Sequence, residues 1–261
     1  MILIADNLNT RNRAYMEALG NKNKKAVSEM AKALSEAGAD LINIQCSLDG
    51  SGDEKNIPFV IEAVREAADC RLSIDTRNLD AIGASLKLTD EPPLINFLSQ
   101  TEPDDADALL DLVAGAKASL VIRASKGTVP TSLEAKLQIL EELIEAANES
   151  DIPNDRLFAD PSIVHIGRGM GQEHIVNSHE CIIALKEMVD PPINTIAWIS
   201  NISSGVPFPL KKQLETSLLF YLAGAGLDAA LLDMLSPEIK KAAYLIKSFR
   251  DEIVFTPADL S

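Results

Sequence analysis

Four polar side chains stand where apolar runs end: Asp75 closes RLSID, Asn96 closes PPLIN, Asp160 closes RLFAD and Asn201 follows IAWIS. A carboxylate accepts two parallel hydrogen bonds from an amidine-like edge, and a carboxamide meets a donor and an acceptor together. Two carboxylates and two carboxamides therefore suit a flat heterocycle with adjacent N–H donors and a carbonyl, the edge that pterins and purines present. A phosphate would instead require lysines, arginines or a glycine-rich turn. Any one Asp or Asn after a strand is most simply the cap of the next helix, the role expected for Asn78 in the segment 75–78. The joint pattern differs, because Asp75, Asn96 and Asp160 each end a run, one step before the usual place of a cap.

Eight short runs rich in β-formers cover 2–5, 40–45, 71–75, 93–96, 119–123, 156–160, 195–200 and 228–233. Between them, apolar residues recur at three and four, as in Ala26, Met30, Leu34 and Ala37, or Leu133, Leu137, Leu140, Leu143 and Ile144, and predict amphipathic helices. Gly38 and Gly226 fall where a helix stops and a strand starts, positions that suit a left-handed cap. Apolar strands alternating with helices require a parallel sheet with helical cover. Eight such units in 261 residues fit a single (β/α)8 TIM barrel, one domain over 1–261. Sites in that architecture lie at the C-terminal ends of the strands. The mouth would then gather Asp6, Asn7 and Asn9, Asn43 and Gln45, Arg123 and Ser125, Ser203 and Asp233 around the first four residues.

A formal net charge of −15 and 4% aromatic residues argue against nucleic acid and anionic membrane surfaces. Cys46, Cys70 and Cys181 lack CxxC spacing and read as free thiols in a reducing cytoplasm. The first apolar run has no basic leader and reads as a strand, and no stretch reaches the ~18 to 20 apolar residues that span a bilayer. The glycine-rich segment 165–171 fits neither a Walker loop nor a dinucleotide fingerprint, and is expected to form a mobile lid whose Arg168 could meet an anionic tail. His165, His174 and His179 have no metal-ligand spacing. GxSxG and SxxK are absent, so a covalent nucleophile has little support.

In order along the chain, AspAsnLeuAsn at 6–9, LeuSerIleAspThrArgAsn at 72–78, LeuIleAsn at 94–96, PheAlaAspPro at 158–161, SerAsnIleSer at 200–203 and GlyLeuAspAla at 226–229 resemble the pterin-binding methyltransferases. The set is similar to the methyltetrahydrofolate:corrinoid protein methyltransferases, (β/α)8 proteins related to dihydropteroate synthase, and the likeness runs from residue 1 to about 255. The resemblance implies that Asp75, Asn96 and Asp160 hold the pterin ring and that Asn201 is the catalytic residue, near N5. It implies tetrahydrofolate or methyltetrahydrofolate as substrate, a corrinoid (cobalamin) carried by a partner protein, and a homodimer. Methyl transfer would be an in-line displacement governed by positioning and electrostatics, with solvent as the proton source. The chain departs from the family at AlaAspAsnLeuAsn (5–9), where GlyGluArgIleAsn is common, at AsnIleGln (43–45), and at Phe208, where an arginine is frequent. A dihydropteroate synthase would share the clamp but needs a lysine and a basic set near the last strands, which 228–236 does not supply. A third expectation is a folate-binding partner subunit that has lost catalysis.

Overall fold

The computed structural model describes residues 1–101 and 105–260. Eight parallel strands among these residues close into a barrel in sequence order: β1 (Ile2–Leu8), β2 (Leu41–Ile44), β3 (Arg71–Asp75), β4 (Leu94–Leu98), β5 (Ser119–Arg123), β6 (Leu157–Asp160), β7 (Asn194–Trp198) and β8 (Ala229–Leu232), with β8 pairing back onto β1. The helices that cross between them are α1 (Arg13–Gly20), α2 (Lys24–Glu36), α3 (Asp53–Arg65), α4 (Leu79–Leu88), α5 (Ala106–Gly115), α6 (Leu133–Glu149), α7 (Gly171–Met188), α8 (Phe208–Gly224) and α9 (Pro237–Phe249). The fold is the (β/α)8 TIM barrel that the alternating runs predict.

Successive side chains on a strand point to opposite faces, so two kinds of core arise from one sequence pattern. Outward residues such as Ala5, Ile42, Ile74, Ile95 and Ile122 pack against the helices in the larger apolar cluster. Inward residues Ile4, Leu41, Leu94, Val121, Phe158 and Ile196 fill the barrel. Two positions further along the same inner face, the chain turns polar: Ile4 is followed by Asp6, Leu41 by Asn43, Leu94 by Asn96, Val121 by Arg123 and Phe158 by Asp160. An apolar plug thus supports a polar floor at the C-terminal end.

The register keeps that floor level, pairing Asn43 with Ser73, Asp75 with Asn96 and Arg123 with Asp160. Local signals behave as the sequence implies. Asn78 caps α4 by accepting from the Ala81 N–H at 2.9 Å. Gly38 and Gly226 take φ values of 88° and 99°, in the left-handed region that favours glycine.

Several bounds differ from the apolar runs. β1 continues through Asp6 to Leu8, and β4 continues past Asn96 to Leu98, because a strand is defined by pairing and not by apolarity. β7 stops at Trp198, and Ile199–Ser203 forms a 3-10 turn, so Asn201 sits on a turn above the sheet and not in a strand. Among the described residues, no helix is long and apolar enough to cross a membrane.

Candidate functional site

The mouth of the barrel holds a cavity of about 340 Å³ lined by residues from six strands or the loops that follow them. Asp75 and Asn96 form part of its wall with Gln45, Arg123, Asp6 and Asn201. Asp6 and Asn201, far apart in the sequence, meet here because the sheet closes on itself.

Asn96 is 1% exposed, and its carboxamide is anchored on one side only. Its Nδ2 donates to Asn43 Oδ1 at 3.0 Å and to Ser73 Oγ at 2.9 Å. Ser73 Oγ in turn donates to Asn43 Oδ1 at 2.9 Å. With both amide hydrogens engaged, Asn96 Oδ1 is left as a buried acceptor without a partner. Buried polar atoms are paired in the great majority of cases, and of the unpaired ones among the described residues this one alone belongs to a residue lining the cavity, which points to a donor supplied by a ligand.

Asp75 lies beside it, half-buried. One carboxylate oxygen accepts from Gln45 Nε2 at 2.7 Å, and Gln45 Oε1 is itself held by Thr10 Oγ1 at 3.0 Å. Burial raises the Asp75 carboxyl to about 6, opposed by Arg123 and reinforced by the neighbouring Asp6. Asp6 is also raised, chiefly by burial, although Arg11 and hydrogen bonds from Asn9, Asn43 and Ser200 act the other way. The first loop is pinned in turn by Asn9, whose Nδ2 donates to the Asp6 carbonyl and whose Oδ1 accepts from the Arg11 N–H at 2.8 Å.

Asp160 does not line the cavity. It is 1% exposed and lies beneath Arg123, accepting from Arg123 Nε at 2.8 Å and from the Ser162 N–H at 2.8 Å. The Arg123 guanidinium stacks between two rings, 3.6 Å from the Phe97 centroid and 4.5 Å from that of Trp198. Asp160 therefore fixes the cation, and the cation, with both rings, gives the cavity a flat wall.

Asn201 faces the opposite side of the cavity, where its Oδ1 accepts from Arg11 Nη1 at 3.4 Å. Arg11 also donates through Nη2 to Asp6 Oδ2 and to Ser200 Oγ, each at 3.1 Å. Asn9 and Ser203 lie instead along a second cavity, about 420 Å³, that shares Asp6 and Arg11 with the first. There Ser203 Oγ donates to Glu215 Oε1 at 2.6 Å, and Lys212 Nζ bridges Glu215 at 2.9 Å and Asp233 at 2.7 Å. A lysine does therefore reach the end of the last strand, supplied by α8 and not by the segment 228–236, and two carboxylates already hold it. The side chain of Phe208 lies outside the described residues.

The glycine-rich segment stands apart from both cavities. It is a tight turn leading into α7, in which a Cβ at Gly171 would come within 2.5 Å of the Ile166 carbonyl, and the Ile166 N–H donates to Ile202 at 3.1 Å. None of its side chains, Arg168 included, lines either cavity. His174 meets Thr131 Oγ1 at 3.2 Å, and His179 stacks on Tyr221 at 4.1 Å between centroids. Among the described residues no group of acidic, histidine and cysteine side chains could hold a metal ion.

Arg11, Phe97 and Trp198 escaped the sequence reading. Arg11 lies beyond the first strand, in a segment with no apolar pattern. Trp198 is the chain's only tryptophan and carries the one signal that could have been found: it sits three residues before Asn201 on the inward register of its strand.

The family described as Pterin binding enzyme matches residues 7–231. A methylcorrinoid:tetrahydrofolate methyltransferase from Eubacterium limosum is 23% identical over 247 residues, covering 94% of this chain and 89% of that protein. The Xanthomonas albilineans dihydropteroate synthase with 4-aminobenzoic acid shares the fold with a TM-score of 0.71 at 19% identity, over 98% of this chain and 94% of that one. The Yersinia pestis enzyme with a pterine-sulfa conjugate gives 0.71 at 17% identity, over 96% of this chain and 94% of that one.

Proposed function

The chain belongs to the pterin-binding enzyme family, and we propose that it is a methyltransferase that moves a methyl group between N5 of tetrahydrofolate and the cobalt of a corrinoid carried by a partner protein. The observation that carries the reading is Asn96 Oδ1, a buried acceptor without a partner beside the Asp75 carboxylate. Adjacent acceptors of this kind fit the N–H-rich edge of a pterin. The wall made by Arg123, Phe97 and Trp198 fits its face. The Eubacterium limosum relative, named for transfer from a methylcorrinoid to tetrahydrofolate, supports the choice of reaction and its direction.

In that direction the N5 lone pair forms the new N–CH3 bond, the Co–CH3 bonding pair stays with cobalt, which is reduced by two electrons, and the N5 proton passes to solvent. The reverse transfer breaks the same N–C bond and returns a proton to N5. When methyltetrahydrofolate is the donor, the C–N bonding pair returns to N5, so N5 gains electron density as the bond breaks and a hydrogen-bond donor beside it stabilises the departing nitrogen. Asn201, at the cavity edge, is the residue proposed to meet N5. Asp75 and Asn96 hold the ring edge, and Asp160 acts through Arg123. Most of the acceleration comes from alignment, since the in-line geometry replaces a random encounter.

The corrinoid protein would approach over the mouth. A homodimer belongs to the same proposal, favoured by the exposed aromatic side chains Phe220 and Tyr221 on α8 and Phe249 on α9, and size-exclusion chromatography with light scattering tests it. A reducing cytoplasm suits the three free cysteines.

The test is turnover of the pure protein with methylcobalamin and tetrahydrofolate, and with methyltetrahydrofolate and cob(I)alamin, followed through the corrinoid spectrum. Transfer in at least one direction is expected. No transfer together with no pterin binding overturns the reading. Tight folate binding with no transfer to the cognate corrinoid protein would identify a folate-binding subunit instead. Product from a pterin diphosphate and 4-aminobenzoate would identify a dihydropteroate synthase.

A further inference from the structure

The first loop and the turn after β7 are joined by a contact whose chemistry has a direction. Arg11 lies 190 positions from Asn201 and reaches it across the barrel mouth. A guanidinium carries only donors. Whatever it bonds must present an oxygen, so the Asn201 carboxamide is fixed with Oδ1 toward Arg11 and Nδ2 on its opposite arm. Asn201 lines the cavity, and the arm that Arg11 does not hold is the one left for a ligand.

Arg11 is itself anchored. Its Nη2 donates to Asp6 Oδ2 and to Ser200 Oγ, both at 3.1 Å, and Ser200 Oγ donates to the same Asp6 oxygen at 3.3 Å. Asp6 is buried on β1 and receives a further hydrogen bond from Asn43 Nδ2 at 3.4 Å, so the anchor is tied to the amide group beneath Asn96. About half of the Arg11 side chain is exposed to solvent (52%), so it is no part of the buried core.

We propose that Arg11 is a positioning residue that sets the Asn201 carboxamide as a hydrogen-bond donor toward the reacting nitrogen. The inference rests on the proposed methyl transfer, because N5 of the folate is the atom that would receive the donor. Without Arg11 the amide can rotate by half a turn and turn its oxygen toward N5, the atom that gains electron density when methyltetrahydrofolate gives up its methyl group. That arrangement opposes the transition state and leaves pterin binding untouched, since Asp75 and Asn96 lie on the other wall.

The experiment is single-turnover methyl transfer from saturating methyltetrahydrofolate to cob(I)alamin, read beside the folate Kd, for wild type, Arg11→Met, Arg11→Lys, Asn201→Ala and the double variant Arg11→Met with Asn201→Ala. Loss of one neutral-to-charged hydrogen bond predicts a rate about tenfold slower for Arg11→Met, with a Kd changed by less than about twofold. Arg11→Lys, which keeps a donor, recovers part of the rate. Residues acting as a unit are non-additive, so Arg11→Met adds nothing to Asn201→Ala. An additive loss in the double variant, or a loss confined to Kd, as for an arginine that merely binds the folate tail, overturns the inference. An Arg11→Met rate equal to wild type also overturns it while leaving the proposed function intact. Absence of wild-type transfer in both directions overturns the proposed function itself.

Discussion

The two ends of the barrel use the same residue types to opposite effect. At the N-terminal end, Asp228 Oδ2 accepts from Lys186 Nζ, from the Thr195 N–H at 2.6 Å and from Thr195 Oγ1 at 3.0 Å. Arg71 donates to the Pro92 carbonyl at 2.7 Å and to Ser119 Oγ at 2.8 Å, and Arg250 donates to Leu227 at 2.9 Å. These donors and acceptors are spent on holding strands and helices together. At the C-terminal end, Asn96 Oδ1 has no partner and the Asp75 carboxyl is raised by burial to about 6. At the closed end donors and acceptors complete one another and hold the fold, whereas at the mouth a buried acceptor is left open on a residue that lines a cavity. A site of that kind costs stability, which is the usual trade at binding surfaces.

The strongest way to break this division is Asp75→Ala. A charge-assisted contact to a ring edge is worth about 2 to 3 kcal/mol, so folate affinity should fall about 100-fold by calorimetry. Urea unfolding at pH 7 should show no loss of stability. A large drop in stability with binding retained would mean that Asp75 belongs with the structural set. Asn96→Ala is next, with an expected affinity loss of about 30-fold and a moderate destabilisation of about 1 kcal/mol, because Asn43 and Ser73 lose a shared donor. Equal folate affinity in this variant would remove the central support for a pterin in the cavity.

The opposite end supplies the matching control. Asp228→Ala leaves the Lys186 ammonium and the Thr195 N–H without their acceptor, and should destabilise by about 1 to 2 kcal/mol given the partial exposure of the pair. Folate affinity should stay within about twofold by the same calorimetric titration. A change in affinity as large as the change in stability would show that the two ends are coupled.

The smallest effect is the pH dependence. Asp75 titrates near 6 in the fold and near 3.9 in an unfolded chain, so the folded protein binds more protons between those values. The stability linked to this group is fully present below about pH 4 and is lost as pH rises through 6, by about 1 to 2 kcal/mol after screening at the open mouth. Asp6, raised in the same direction, adds to the slope. Asp75→Asn should flatten the unfolding free energy over this window. The ionised form is the one that accepts from a pterin edge, so wild-type folate affinity should weaken on acidification below about pH 6. A stability profile with the opposite sign would place Asp75 among the paired carboxylates.

Much of the fold was legible because its signals are local. The eight apolar runs, the three-and-four spacing between them, the Asn78 cap and the glycines at 38 and 226 each depend on a few neighbouring residues. The strand ends at Leu8 and Leu98 were not, because pairing with a neighbouring strand, and not apolarity, carries β1 and β4 beyond their apolar runs. The polar strand ends were legible as a set, and Asp75, Asn96 and Asn201 do share one cavity. The place of Asp160 was not. Its type and position suit a ligand contact, yet an arginine one strand away covers it. The glycine-rich segment looked like part of the mouth from its place after β6, and its turn instead closes on its own backbone.

By itself the sequence determined the alternation of strands and helices and the step from apolar to polar along the inner faces of β1, β2, β4, β5 and β6, because side-chain direction in a strand follows from a period of two. Only the tertiary structure decided which polar groups satisfy one another. Closure of the barrel brings Arg11 to Asn201, strand pairing sets Arg123 beside Asp160 and the shared inner face sets Asn43 under Asn96, and these meetings leave Asn96 Oδ1 open. Hydrogen bonding is short-ranged and directional, so partners from different strands are fixed only when strand register and barrel closure set their separation to within a few tenths of an ångström.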